Sequence, residues 1–157
     1  MKKLSATFLF ILVPLLLPAQ TAGELDIMLE THTVTSATAA RFVLGAVGLL
    51  PEGLSGAAAE TAAYNMAFAQ GWIRTGAAEP VTLGEISFLI TSAFGFTGGL
   101  MYRIFPGPRY AYRELLYRRI IQGRVYSNMT VSGSWLLQII GRALSAADEE
   151  ILLGDNP

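Results

Sequence analysis

The chain has 157 residues, of which 52% are hydrophobic, with eleven Lys and Arg against twelve Asp and Glu and no Cys. That length points to one domain, and the absence of Cys excludes disulfides, so packing alone must stabilise the fold. Without Lys2 and Lys3 the balance is nine Arg against twelve acids, a net charge of −3, which argues against nucleic acid as an electrostatic partner.

The N-terminus reads as a secretory signal over residues 1–22. Lys2 and Lys3 form a positive start, Ala6 to Leu17 is an uncharged apolar run, and Pro18 is followed by the small residues Ala19, Thr21 and Ala22. Twelve residues span about 18 Å as a helix, short of a ~30 Å hydrocarbon core. Cleavage is expected after Ala19 or Ala22, leaving an exported chain in the periplasm or at the cell surface.

Three stretches then repeat one design. Val34-Thr35, Val81-Thr82 and Val131-Ser132 each place a hydroxyl residue where it can cap a helix, after a Val suited to a hydrophobic staple. Downstream, Ala39, Phe42, Val43, Ala46 and Val47 match Ile86, Leu89, Ile90, Ala93 and Phe94, and then Leu136, Ile139, Ile140, Ala143 and Leu144. The i, i+3, i+4, i+7, i+8 spacing is the stripe of an amphipathic helix, with Ala fixed at the fourth place. Thr82 and Glu85 also form a capping-box pair.

The second and third copies share a preceding helix, Tyr64 to Ile73 and Tyr112 to Ile121, offset by 48 positions and expected to exit at Gly76 and Gly123. The first copy lacks such a helix in this reading, which leaves a half unit (27–50), two full units (57–97 and 108–145) and an acidic, then apolar tail (146–157). The half unit's stripe needs cover, from the tail segment Ala146 to Leu153 or from another chain. Between the full units, Leu100 to Phe105 is bracketed by Gly95–Gly99 and Pro106–Pro108 and reads as a loop tucked over the core, the alternative being an exposed apolar contact site.

Helix, "GWIRTG", short loop, "VTLGE", apolar helix: this pattern (Gly71 to Gly76, Val81 to Glu85) resembles the S-layer homology (SLH) repeat. The resemblance implies an all-α fold of paired short helices packed around one core, and a cell-envelope location, since such modules hold proteins to wall glycans. The family's Arg after the capping Thr is replaced by Ser36, Leu83 and Gly133, and its Glu is kept only as Glu85, so its sugar-binding side chains do not carry over.

The expected function is a non-enzymatic envelope adaptor or scaffold binding an envelope protein or a cell-wall glycan, with peripheral membrane association and homo- or hetero-oligomers left open. No cofactor or catalytic pattern is present: His32 is the only histidine, and no G-x-S-x-G elbow occurs. Candidate partner-binding residues are Phe42 and Val43 on the half-unit stripe and Arg103, Arg109, Tyr110, Arg113, Tyr117 and Arg118, where arginine and tyrosine interleave as in interface hot spots. The alternative pairing of that basic stretch is with the tail acids Asp148, Glu149 and Glu150. A second function class is a membrane-embedded subunit using the apolar segment 86–105; a third is a small periplasmic hydrolase.

Overall fold

The computed structural model describes residues 17–51 and 53–154, and the chain is all-α: among them seven helices and no strand are found. They are α1 (Leu17–Glu30), α2 (Ser36–Ala46), α3 (Gly56–Ala69), α4 (Leu83–Ala93), α5 (Leu100–Ile104), α6 (Pro108–Tyr117) and α7 (Gly133–Gly154). Most of the expected signal segment lies outside the described residues; Ala19 and Ala22 fall within α1.

Local chemistry sets where α2, α4 and α7 begin. The hydroxyls of Thr35, Thr82 and Ser132 accept from the amides of Thr38, Glu85 and Trp135 at 3.3, 3.4 and 3.3 Å. Each satisfies an amide that the first helical turn leaves unpaired, a contribution of about 1 kcal/mol per cap. The preceding Val34, Val81 and Val131 are buried in one core with Ala39, Ile86 and Leu136. Glu85 departs from the capping-box expectation. Its carboxylate does not reach back to the cap amide; it accepts from the Thr82 hydroxyl and from the amide and hydroxyl of Thr75, tying the preceding loop to α4.

The helix exits are also local. Gly48 and Gly95 follow α2 and α4 in the left-handed region, with φ of 68° and 67°, where a side chain would be strained. The corresponding residue of α7 is Ser145, and α7 runs on to Gly154. Residues 146–154 therefore continue α7 and are not a separate tail folded across α2. The leading helices α3 and α6 leave at Gly71 (φ 70°) and Arg119 (φ 58°), five and four residues before the expected Gly76 and Gly123. Behind each exit a tyrosine pins the loop: the Tyr64 hydroxyl donates to the Thr75 carbonyl and that of Tyr112 to the Val125 carbonyl.

In the packing, α3 lies on α2 and α6 on α4, each leading helix on the capped helix before it, while α1, which precedes the first capped helix, lies on α7 at the other end of the chain. Ala59, Ala63 and Ala67 form the buried face of α3, letting it approach α2 closely. Within the α2 stripe Ala39 and Val43 are buried, whereas Phe42, Ala46 and Val47 remain partly exposed.

Backbone bonds close the arrangement into a ring. The amides of Ser36, Leu83 and Gly133, at equivalent places in the first helical turn, donate to the carbonyls of Glu79, Met129 and Thr31 at 3.0, 2.8 and 2.8 Å. The first unit therefore donates to the second, the second to the third, and the third to the first. Around this hub the side chains of Val34, Val81, Val131, Met28, Leu83, Ile86 and Leu136 make the centre of the core.

Candidate functional site

Segment 86–105 is not one helix. Thr91 is the last α4 residue fully buried, Gly95 turns the chain, and α5 begins at Leu100. Among the described residues no helix is long and apolar enough to cross a membrane. Gly98 makes the reversal sterically feasible, because a Cβ there would lie 2.5 Å from the Tyr102 ring.

The sequence-derived candidates separate into two regions. Val43 is buried in the core beneath α3, while Phe42 is half-buried and lines a groove of about 400 Å³ where α1, α2 and α3 meet. The equivalents of Phe42 in the other two units, Leu89 and Ile139, are fully buried. Only the first unit opens at this position.

The groove has an apolar floor from Phe42 and Met28 and a polar rim. Along the rim the hydroxyls of Thr35 and Thr38 are 3.0 Å apart, and the Thr38 hydroxyl donates to Glu60 Oε1 at 3.1 Å. Across from them Arg41 pairs with Glu24 of α1 and lies 5.5 Å from the centroid of the Phe42 ring. A cation above an aromatic face, beside two hydroxyls and two carboxylates, presents both a stacking surface and a dense set of donors and acceptors. Glu24, Thr38, Arg41 and Glu60 carry little individual signal in the sequence; they meet because α1, whose first residues 17–22 overlap the expected signal segment, packs beside α2 and α3.

The second region is the α5–α6 surface. Arg103, Arg109, Arg113 and Tyr117 are exposed, and Tyr110 is half-buried with its ring 6.4 Å from that of Phe105. Arg118 is turned inward instead. It donates to Glu114 at 2.9 Å, to Glu150 at 3.1 Å and to the Thr97 carbonyl at 2.8 Å, and its guanidinium lies 4.9 Å from the centroid of the Phe96 ring. Burial lowers its proton affinity, but the two carboxylates outweigh that and raise the pKa above the ordinary arginine value, so the charge is permanent. Arg118 straps α6 to the loop after α4 and to α7, and among the described residues it alone of the basic stretch forms an ion pair with a C-terminal acid, Glu150.

His32 is exposed in the α1–α2 linker, and among the described residues no three His, Cys, Asp or Glu side chains gather as a metal site requires. No protein-family profile matches the chain, and no curated protein or solved structure is significantly similar to it.

Proposed function

We propose that the chain is an exported, non-enzymatic adaptor of the cell envelope, built from SLH-like units, that holds a wall glycan in the groove between α1, α2 and α3. The observation that carries this reading is the selective opening at Phe42. A position filled by buried Leu89 and Ile139 elsewhere in the ring bears a half-buried aromatic ring that lines a groove in the first unit, bordered by Thr35, Thr38, Arg41 and Glu60. Sugars are recognised by such a combination, a flat apolar face against the C–H surface of the ring and hydrogen-bonding groups at its hydroxyls.

The replacement of the family's motif arginine by Ser36, Leu83 and Gly133 also supports a relocated binding surface. Ser36 is buried with its hydroxyl bonded to Thr75, and Gly133 sits where no side chain fits. The positions at the hub thus serve closure of the ring, and binding falls to the open groove.

Co-sedimentation of the full chain with purified sacculi, intact or stripped of attached polymers, tests the reading. Wild type is expected in the pellet, and Phe42→Ala or Glu60→Gln is expected to weaken binding at least tenfold without lowering the melting temperature by more than a few degrees. A wild-type protein that stays in the supernatant with both preparations, or captures only envelope proteins through Phe42, overturns it.

A further inference from the structure

The α5 segment behaves opposite to a buried loop. Leu100, Met101, Ile104 and Phe105 are 70%, 57%, 54% and 60% exposed, although all four are large and apolar. At 100° per residue Leu100, Met101 and Ile104 fall within one arc of about 100° on α5, and Phe105 follows as its C-cap. Tyr102, on the other side, anchors the helix to the body through an edge-on contact with Phe88 at 6.4 Å. The apolar arc is therefore held outward by the contact behind it.

Positive charge surrounds the arc. Arg103 flanks it beside Pro106 and Gly98, and Arg113 shares with Leu100, Met101 and Tyr110 a shallow groove on the other flank. Arg109 and Arg113 are one turn apart on α6, followed on the same stripe by Tyr117, which is 85% exposed. Arg103, Arg109 and Arg113 have no carboxylate within ion-pair distance among the described residues; the nearby acids Glu114 and Glu150 are both paired with Arg118, and they also accept from the Gly99 amide and the Thr97 hydroxyl respectively.

We propose that α5 is a membrane-surface anchor, inserting Leu100, Met101, Ile104 and Phe105 into an anionic phospholipid leaflet while Arg103, Arg109 and Arg113 engage its headgroups. Interfacial helices combine an apolar face with a basic border and aromatic residues at headgroup level in this way. A continuous negative surface complements three cations of one sign around a small convex patch. Four side chains, three on a five-residue helix and one at its C-cap, are well below the roughly 800 Å² per partner that a stable protein interface buries. This surface is separate from the α1–α2–α3 groove, so the two readings stand or fall independently.

The test uses the full chain and sedimentation with phosphatidylglycerol or phosphatidylcholine vesicles. Wild type binds the anionic vesicles and is released by high salt; Leu100→Asp with Phe105→Asp reduces binding at least tenfold, and each of Arg103→Gln and Arg113→Gln about fivefold, the ratio matching about 1 kcal/mol per basic residue. All these side chains are exposed, so the variants should melt like wild type. A local reading accompanies the sedimentation: Leu100→Trp should gain a blue-shifted emission component, over Trp72 and Trp135, on anionic vesicles only. Equal binding to both lipids, no blue shift from the introduced tryptophan, or self-association that depends on Phe105 overturns the proposal.

Discussion

Replacing Gly133 with Ala places one methyl group at the point where the ring closes. A Cβ there would stand 1.8 Å from the Met28 carbonyl oxygen, which is backbone and cannot rotate away. To reach even a tight 3.0 Å contact, α1 must move off α7 by more than 1 Å. That displacement stretches the 2.8 Å bond from the Gly133 amide to the Thr31 carbonyl and exposes part of Met28, which is 2% accessible. One net hydrogen bond is about 1 kcal/mol and full burial of a methionine about 1.5–3 kcal/mol, so Gly133→Ala should cost roughly 2–4 kcal/mol. For a chain of this size that is a fall in Tm of roughly 5–15 °C. Gly141 lies on the same helix with nothing within 4 Å of an added Cβ, and Gly141→Ala should be neutral or stabilise by up to about 1 kcal/mol. Thermal unfolding of the two variants side by side decides the matter. If both melt together, α1 does not close the ring on α7.

Four further outcomes follow from particular contacts. Glu85→Ala removes the acceptor for two hydroxyls and one amide and should cost about 2–3 kcal/mol in denaturant unfolding, against about 1 kcal/mol for Thr82→Ala, which loses the cap alone. Ala143→Leu should destabilise by roughly 1–3 kcal/mol through overpacking and exceed Ala93→Leu, since Ala143 is wholly enclosed and Ala93 only partly. Arg119→Gly relieves a left-handed arginine and should raise stability by about 0.5–1 kcal/mol, read as a higher denaturation midpoint. Tyr102 is held above the ordinary tyrosine pKa near 10, first by burial, with Glu114 adding to it and the Ser92 hydroxyl opposing it. The stability it lends is complete below the unfolded value and declines as pH rises through the higher folded one, so Tyr102→Phe should unfold less steeply in alkali than wild type.

The parts of the fold that depend on neighbours in sequence are legible in it. Thr35, Thr82 and Ser132 cap because a hydroxyl can reach an amide three residues on, and Ile86, Leu89 and Ile90 are buried because their spacing puts them on one side. The stop signals are equally local: Gly48 and Gly95 against Ser145 foretell two short helices and one long one, although the glycines at 76 and 123 are easier to notice. What the sequence conceals is which surfaces meet. The clearance at Gly133 exists only because Met28 arrives there from more than a hundred residues away. The outward face of α5 is hidden for a similar reason, since burial is the usual fate of Leu100 to Phe105 and only the anchoring of Tyr102 reverses it. The groove at Phe42 needs α1 as its third wall, and an apolar run suited to export gives no sign that its continuation will pack as a structural helix.

Closure of the hub by Ser36, Leu83 and Gly133 also fixes a number. A linear stack of helical repeats can gain or lose a member at either end, melts from its ends, and requires polar terminal units. A ring in which the third unit bonds to the first has no end from which to fray and no place at which a fourth unit can be added without breaking a bond already made. Its three units must be made and lost together, and the chain should pass between folded and unfolded in a single step, whichever unit is probed.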